Sequence, residues 1–161
     1  MRILIVAAAL LAIPLAPVAA GAPEVEHGLA FLVGEWTIAG MEDNYRDSCT
    51  WFDDRAFVVC NTRDGRHGKP QHHVAVIGWS AAAGNYTYLS YGQDGSSRNE
   101  PCFVNNQKGL TCLGESRGKD GFTQIRSYIW PTPTGLGIRQ QRSLNGGAWK
   151  DVGEVAYIPK T

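Results

Sequence analysis

From Glu35 onward, apolar and polar residues alternate in short runs rich in aromatic and β-branched side chains, with turn-forming residues between them. The pattern predicts strands over Glu35–Met41, Arg46–Phe52, Ala56–Thr62, His72–Trp79, Tyr86–Tyr91, Arg98–Val104, Leu110–Glu115, Phe122–Trp130, Leu136–Ser143 and Trp149–Ile158. Asp54-Arg55, Asp64-Gly65, Asp94-Gly95, Lys108-Gly109 and Asn145-Gly146-Gly147 are among the turns. Connections this tight join antiparallel neighbours, so the runs form a meander. A sheet of about ten strands must close or split, and closure removes its edges. The best helix candidate is Pro23–Phe31, with Pro in its first turn and Leu29, Phe31 and Leu32 at its end. The expected fold is all-β: an antiparallel up-and-down barrel of about ten strands with a short N-terminal helix.

The first residues follow another pattern. An unbroken apolar run, Ile3 to Leu15, follows Met1-Arg2 and ends in Pro17-Val18-Ala19-Ala20. One positive charge, an apolar centre and a small-residue exit predict a signal peptide over 1–20. The run is short for a membrane span, which needs about 20 residues. What remains, 21–161, is one domain of about 140 residues, expected in the periplasm or secreted and not inserted in a membrane. Lys+Arg and Asp+Glu balance at 15 each, which excludes the basic footprint of nucleic-acid binding.

Cys49, Cys60, Cys102 and Cys112 form an even set behind an export signal, the pattern of two disulfides. If Cys49 faces Cys60 across a hairpin, Trp51 faces Val58 and Phe52 faces Phe57, so both faces carry matched apolar pairs. The same register sets Cys102 opposite Cys112, Phe103 opposite Thr111 and Val104 opposite Leu110. Gly109 opposes it, because a short hairpin loop with Gly last would shift the second strand by one residue.

Phe31-Leu32-Val33-Gly34-Glu35-Trp36 precedes and enters the first strand. Its Gly34-x-Trp36 resembles the signature of calycins, the lipocalin and fatty-acid-binding-protein superfamily. Cys49-Thr50-Trp51-Phe52, Phe57-Val58-Val59-Cys60, Ile77-Gly78-Trp79 and Gly84-Asn85-Tyr86 extend the likeness to an exported bacterial calycin-like family, the domain of unknown function 1579. The resemblance implies that Trp36 packs across the closed barrel end, with Arg139 or Arg142 as an arginine against it. It implies a fold and no established activity.

No organised catalytic set emerges from the residue pattern. Gly114-Glu115-Ser116-Arg117-Gly118 has the G-x-S-x-G spacing, but it connects two strands and no His follows His73. His72 and His73 point to opposite faces of a strand, so they cannot chelate one ion together, and no metal or cofactor is expected. In the strand ending at Trp130, one face carries Phe122, Gln124, Arg126, Tyr128 and Trp130. Such a face suits a cavity lining and equally the outside of a wet barrel. The leading expectation is a non-enzymatic binder of a small apolar or amphipathic molecule. Arg126 or Arg142 would meet a carboxylate, and Tyr88 and Tyr128 would add hydrogen bonds. The alternative is a protein-binding module, such as an exported inhibitor of a protease or other hydrolase. An open interior favours the first and a packed interior the second. Non-reducing peptide mapping should return Cys49–Cys60 and Cys102–Cys112; a Cys49–Cys102 link would overturn the pairing and the strand register with it.

Overall fold

Ten antiparallel strands form one closed barrel in the computed structural model, which describes residues 28–52, 54–118 and 121–161. The strands are β1 (Gly34–Ile38), β2 (Tyr45–Phe52), β3 (Phe57–Asp64), β4 (Gln71–Ser80) and β5 (Asn85–Gly92), followed by β6 (Ser97–Val104), β7 (Leu110–Gly118), β8 (Gly121–Thr132), β9 (Gly135–Leu144) and β10 (Lys150–Pro159). Each pairs with its neighbours in sequence, and β1 pairs with β10 to shut the ring. Every predicted strand is present, and the closed meander is compatible with a calycin-like fold.

The N-terminal segment departs from expectation. The predicted leader 1–20 and residues 23–27 of the predicted helix lie outside the described residues. The described part ends in a single 3-10 turn, Ala30–Leu32, and the chain is extended again at Val33. The turn ends next to the predicted boundary at Phe31, and Trp36 shows why it goes no further. Its Nε1 donates to the Leu32 carbonyl at 2.8 Å, an acceptor that a continuing helix would use itself. Leu29 and Leu32 are buried with Trp36 in the core cluster. The indole folds back over Gly34, where a Cβ would lie 3.0 Å from its Cζ2 and the backbone φ is +154°. Glycine two residues before the Trp is therefore a steric requirement of the ring's position. Neither proposed arginine partners that ring. Arg139 makes a double hydrogen bond to Asp151 on the outer surface, and Arg142 is exposed.

The hairpin registers follow the cysteine argument. Cys49 faces Cys60, Trp51 faces Val58 and Phe52 faces Phe57, and the disulfide is formed. The Phe52 and Phe57 rings stack at 5.0 Å on the outer face. Cys102 and Cys112 are likewise opposed and bonded. The one-residue shift that Gly109 threatened does not occur. Asn105 Oδ1 accepts the backbone N–H groups of Gln107 and Gly109, each at 3.0 Å, and Lys108 takes the left-handed position with φ +58°. Gly109 serves the packing instead, since a Cβ there would collide with the Ile129 carbonyl on β8.

One join in the ring is short. Pairing of β6 with β7 covers only Cys102–Cys112, Phe103–Thr111 and Val104–Leu110, although β7 continues to Gly118. The bridged cysteines, with Cα atoms 4.0 Å apart, occupy a narrow pair that exchanges no backbone hydrogen bonds. Residues at odd numbers on β6 therefore present their N–H to β7, and the next one beyond Phe103 is Pro101, which has none. The β5 side is unaffected, because Pro101 faces Thr87 there in a pair of the narrow kind. The ladder ends, and a seam opens in the wall beside Glu100 and Gly114.

Trp36 is 9% exposed inside the barrel, whereas Trp149, in the β9–β10 loop, is 38% exposed and covers Arg126. Trp36→Ala should cost about 3–5 kcal/mol, as large aromatic core deletions do. Trp149→Ala should cost much less, and urea unfolding midpoints for the two variants check the difference.

Candidate ligand-binding cavity

Alternation along each strand sends one residue set inward, and the disulfides mark which. Cys49, Cys60, Cys102 and Cys112 are buried, and residues of their parity line a cavity of about 470 Å³. Its floor is apolar: Leu32, Leu110, Ile129, Leu136 and Ile77, with the two bridges above them. The middle is wide because Ala75 and Ser90, opposed on β4 and β5, are small. Its polar end carries Asp47, Asp64, Arg66, His73, Arg98 and Glu100, with Gln93, Asp94 and Ser96 from the β5–β6 turn. A volume of this size, graded from apolar to polar, falls within the usual range of small-molecule sites.

The charged groups are unequally satisfied. Arg66 donates to both carboxylate oxygens of Asp64 at 2.9 and 2.6 Å and lies 5.0 Å over the Tyr45 ring. Hydrogen bonding from Arg66 holds the Asp64 carboxyl below its ordinary value. Tyr45 and Tyr157 share a hydroxyl–hydroxyl bond of 2.8 Å, and burial raises the pKa of both phenols. Among the described residues, the Asp47 carboxylate accepts one side-chain hydrogen bond, from the Thr62 hydroxyl at 2.9 Å. Burial raises its pKa, with the Thr62 bond and nearby His73 acting in opposition. Glu100 is the extreme case. Its side chain is 6% exposed and makes no hydrogen bond among the described residues. Its closest charge, Arg98 Nη1, is 3.8 Å away, and burial raises its pKa. Gly114, across the seam, leaves the room it occupies, since a Cβ there would lie 2.5 Å from Glu100 Oε1.

The residues expected from sequence to bind a ligand are divided by this geometry. Tyr88 lines the cavity between Ile77 and Glu100 in the register, and burial raises its hydroxyl pKa. Arg126 and Tyr128 do not line it: Ser127 and Ile129 face inward, so their neighbours face out. Outside, the Arg126 guanidinium lies 4.3 Å from the Trp149 ring and donates to Gln141, which also accepts from Tyr128. Arg142 has the inward parity of Gln140 but is exposed beyond the lining. Sequence reasoning missed Asp47, His73, Arg98 and Glu100, although their parity relative to the cysteines was available.

Other chemistry is limited by the same placement. Ser116 faces Thr123 within the β7–β8 hairpin, not at a strand-to-helix turn, so it has no nucleophile elbow around it. His73 lines the cavity while His72 is exposed on the other side of β4. The one grouping of potential metal ligands among the described residues is Asp47, Cys49 and Cys60, and the disulfide removes both thiolates from it. Comparison with models of known protein families and with curated proteins returns no match.

The ionised Glu100 side chain lowers stability at neutral pH. Because its folded pKa is raised, its favourable contribution is complete below the ordinary carboxylate range and is lost as pH rises through the folded value. Glu100→Gln should therefore stabilise the ligand-free protein at neutral pH, by on the order of 1 kcal/mol. The gain should vanish under acid conditions where both side chains are neutral, and urea midpoints across that pH range check it.

Proposed function

We propose that this protein is an exported calycin-like carrier, similar to the domain of unknown function 1579 family, that holds a small amphipathic molecule inside its barrel without transforming it. The cavity carries this reading. About 470 Å³ of interior, apolar at the floor and polar at the other end, suits a molecule with an apolar body and a polar head. An inhibitor acting through its surface has no use for such a volume, and filling it with side chains would be more stable. The two disulfides fit an oxidising compartment, and the hairpins they staple form its walls.

The test fills the cavity from within. Ala75 faces the open middle, so Ala75→Leu should occupy ligand volume while the fold is kept. Titration of a small library of amphipathic molecules with neutral, cationic and anionic heads should give saturable binding of at least one to the parent protein and a loss of at least about tenfold in the variant. Arg126→Ala, on the outer face, should bind as the parent does. Absence of saturable binding by the parent would remove the carrier reading.

A further inference from the structure

The cavity has an electrostatic character that the residue pattern did not reveal. Four carboxylates line it, Asp47, Asp64, Asp94 and Glu100, against two arginines, Arg66 and Arg98. The arginines are not available to an anion on equal terms. Arg66 is engaged by both oxygens of Asp64 and by the Tyr45 ring. Arg98 is 51% exposed, and its nearest partner is Glu100. The carboxylates, in contrast, are under-used where they are most deeply placed. Among the described residues, the Glu100 carboxylate accepts no hydrogen bond and meets Arg98 only at 3.8 Å, and Asp47 accepts one side-chain hydroxyl, that of Thr62. A buried carboxylate that accepts no hydrogen bond among the described residues, and whose nearest cation stands off at 3.8 Å, is costly to desolvate. Gly114, lacking a Cβ, leaves the space that the Glu100 carboxylate fills, beside the end of the β6–β7 pairing.

From this arrangement we infer that the polar head of the ligand is a cation, an ammonium or guanidinium group, with Glu100 as its ion partner and Asp47 as the second carboxylate facing it. This deepens the carrier reading and rests on it. A cation supplies the N–H donors that Glu100 lacks and offsets the excess negative charge of the lining. The Tyr88 hydroxyl is close enough to feel both Asp47 and Glu100, and it is an additional acceptor for such a head. The apolar part of the ligand lies toward Leu110, Ile129 and Leu136 on the floor. A fatty acid, by comparison, would bring its carboxylate against the buried Glu100 and the half-buried Asp47.

The experiment uses octylamine, octanol and octanoate, which share a tail and differ in the head, titrated calorimetrically into the mature protein. Octylamine should bind tighter than octanol by about tenfold, the worth of one charge-assisted hydrogen bond, and octanoate should be weakest. Glu100→Gln should reduce octylamine to the affinity of octanol, and Asp47→Asn should weaken octylamine more than octanol. Octanoate binding most tightly, or octylamine binding equally well to Glu100→Gln, would overturn the cationic head while leaving the cavity as a carrier site. Failure of all three compounds to bind would overturn both readings.

Discussion

Register is the constraint on which the rest of this barrel depends. In a closed antiparallel ladder, a shift of one residue in any hairpin would turn an entire strand inside out. Two covalent bonds oppose such a shift. Cys49–Cys60 and Cys102–Cys112 each join directly opposed residues and so fix both the pairing and the inward face of their hairpins. From Cys60 the register runs without interruption through Ala75 and Ser90 to Arg98. From Cys112 it reaches Ser127 and then Gln140. The cavity lining is the projection of those bonded pairs around the ring.

A barrel with an empty, charged interior gives up part of the packing energy that a filled core would supply. The compensation lies at its ends and in its bridges. Leu29, Leu32 and Trp36 pack with Leu110 and Leu136 in the core cluster that forms the floor. Each disulfide closes a loop of about ten residues, which contributes roughly 2–3 kcal/mol in the chain-entropy account. Outside, Trp130 lies over Gly137, where a Cβ would collide with the indole, so the ring covers backbone that glycine would leave bare. Stability is thus placed in the wall and the floor, and the volume between them stays open.

Much of the fold was legible because its signals are local. Period-two alternation and turn residues located every strand, and the cysteine spacing gave two hairpin registers to the residue. Of the helix expected at Pro23–Phe31 only residues 28–31 are described, and there the chain closes in one 3-10 turn that ends once Trp36 takes the Leu32 carbonyl. The site was harder to read because composition does not distinguish inside from outside. The face with Arg126 and Tyr128 resembles a ligand wall, yet its long side chains pack along Trp149 and Gln141 on the outside of the barrel. Parity counted from the cysteines would have placed Glu100 inside and Arg126 outside. The seam needed one further step, namely that Pro101 falls on a position whose N–H the neighbouring strand requires.

The closure itself bears on how the chain assembles. Both bridged hairpins join residues 11 and 10 positions apart, so each can be completed as soon as its own segment emerges. The β1–β10 contact behaves differently: Thr37 meets Ile158, and Lys160 N donates to Glu35 O at 2.8 Å, only when the last residues are in place. Loop closure over that separation carries the largest entropic cost of any pairing in the ring. Until it forms, β1 and β10 each present an unpaired edge, and the nascent protein is an open curved sheet. Sealing needs both end strands at once, so loss of either β1 or β10 would leave an open sheet with unpaired edges where there should be a vessel.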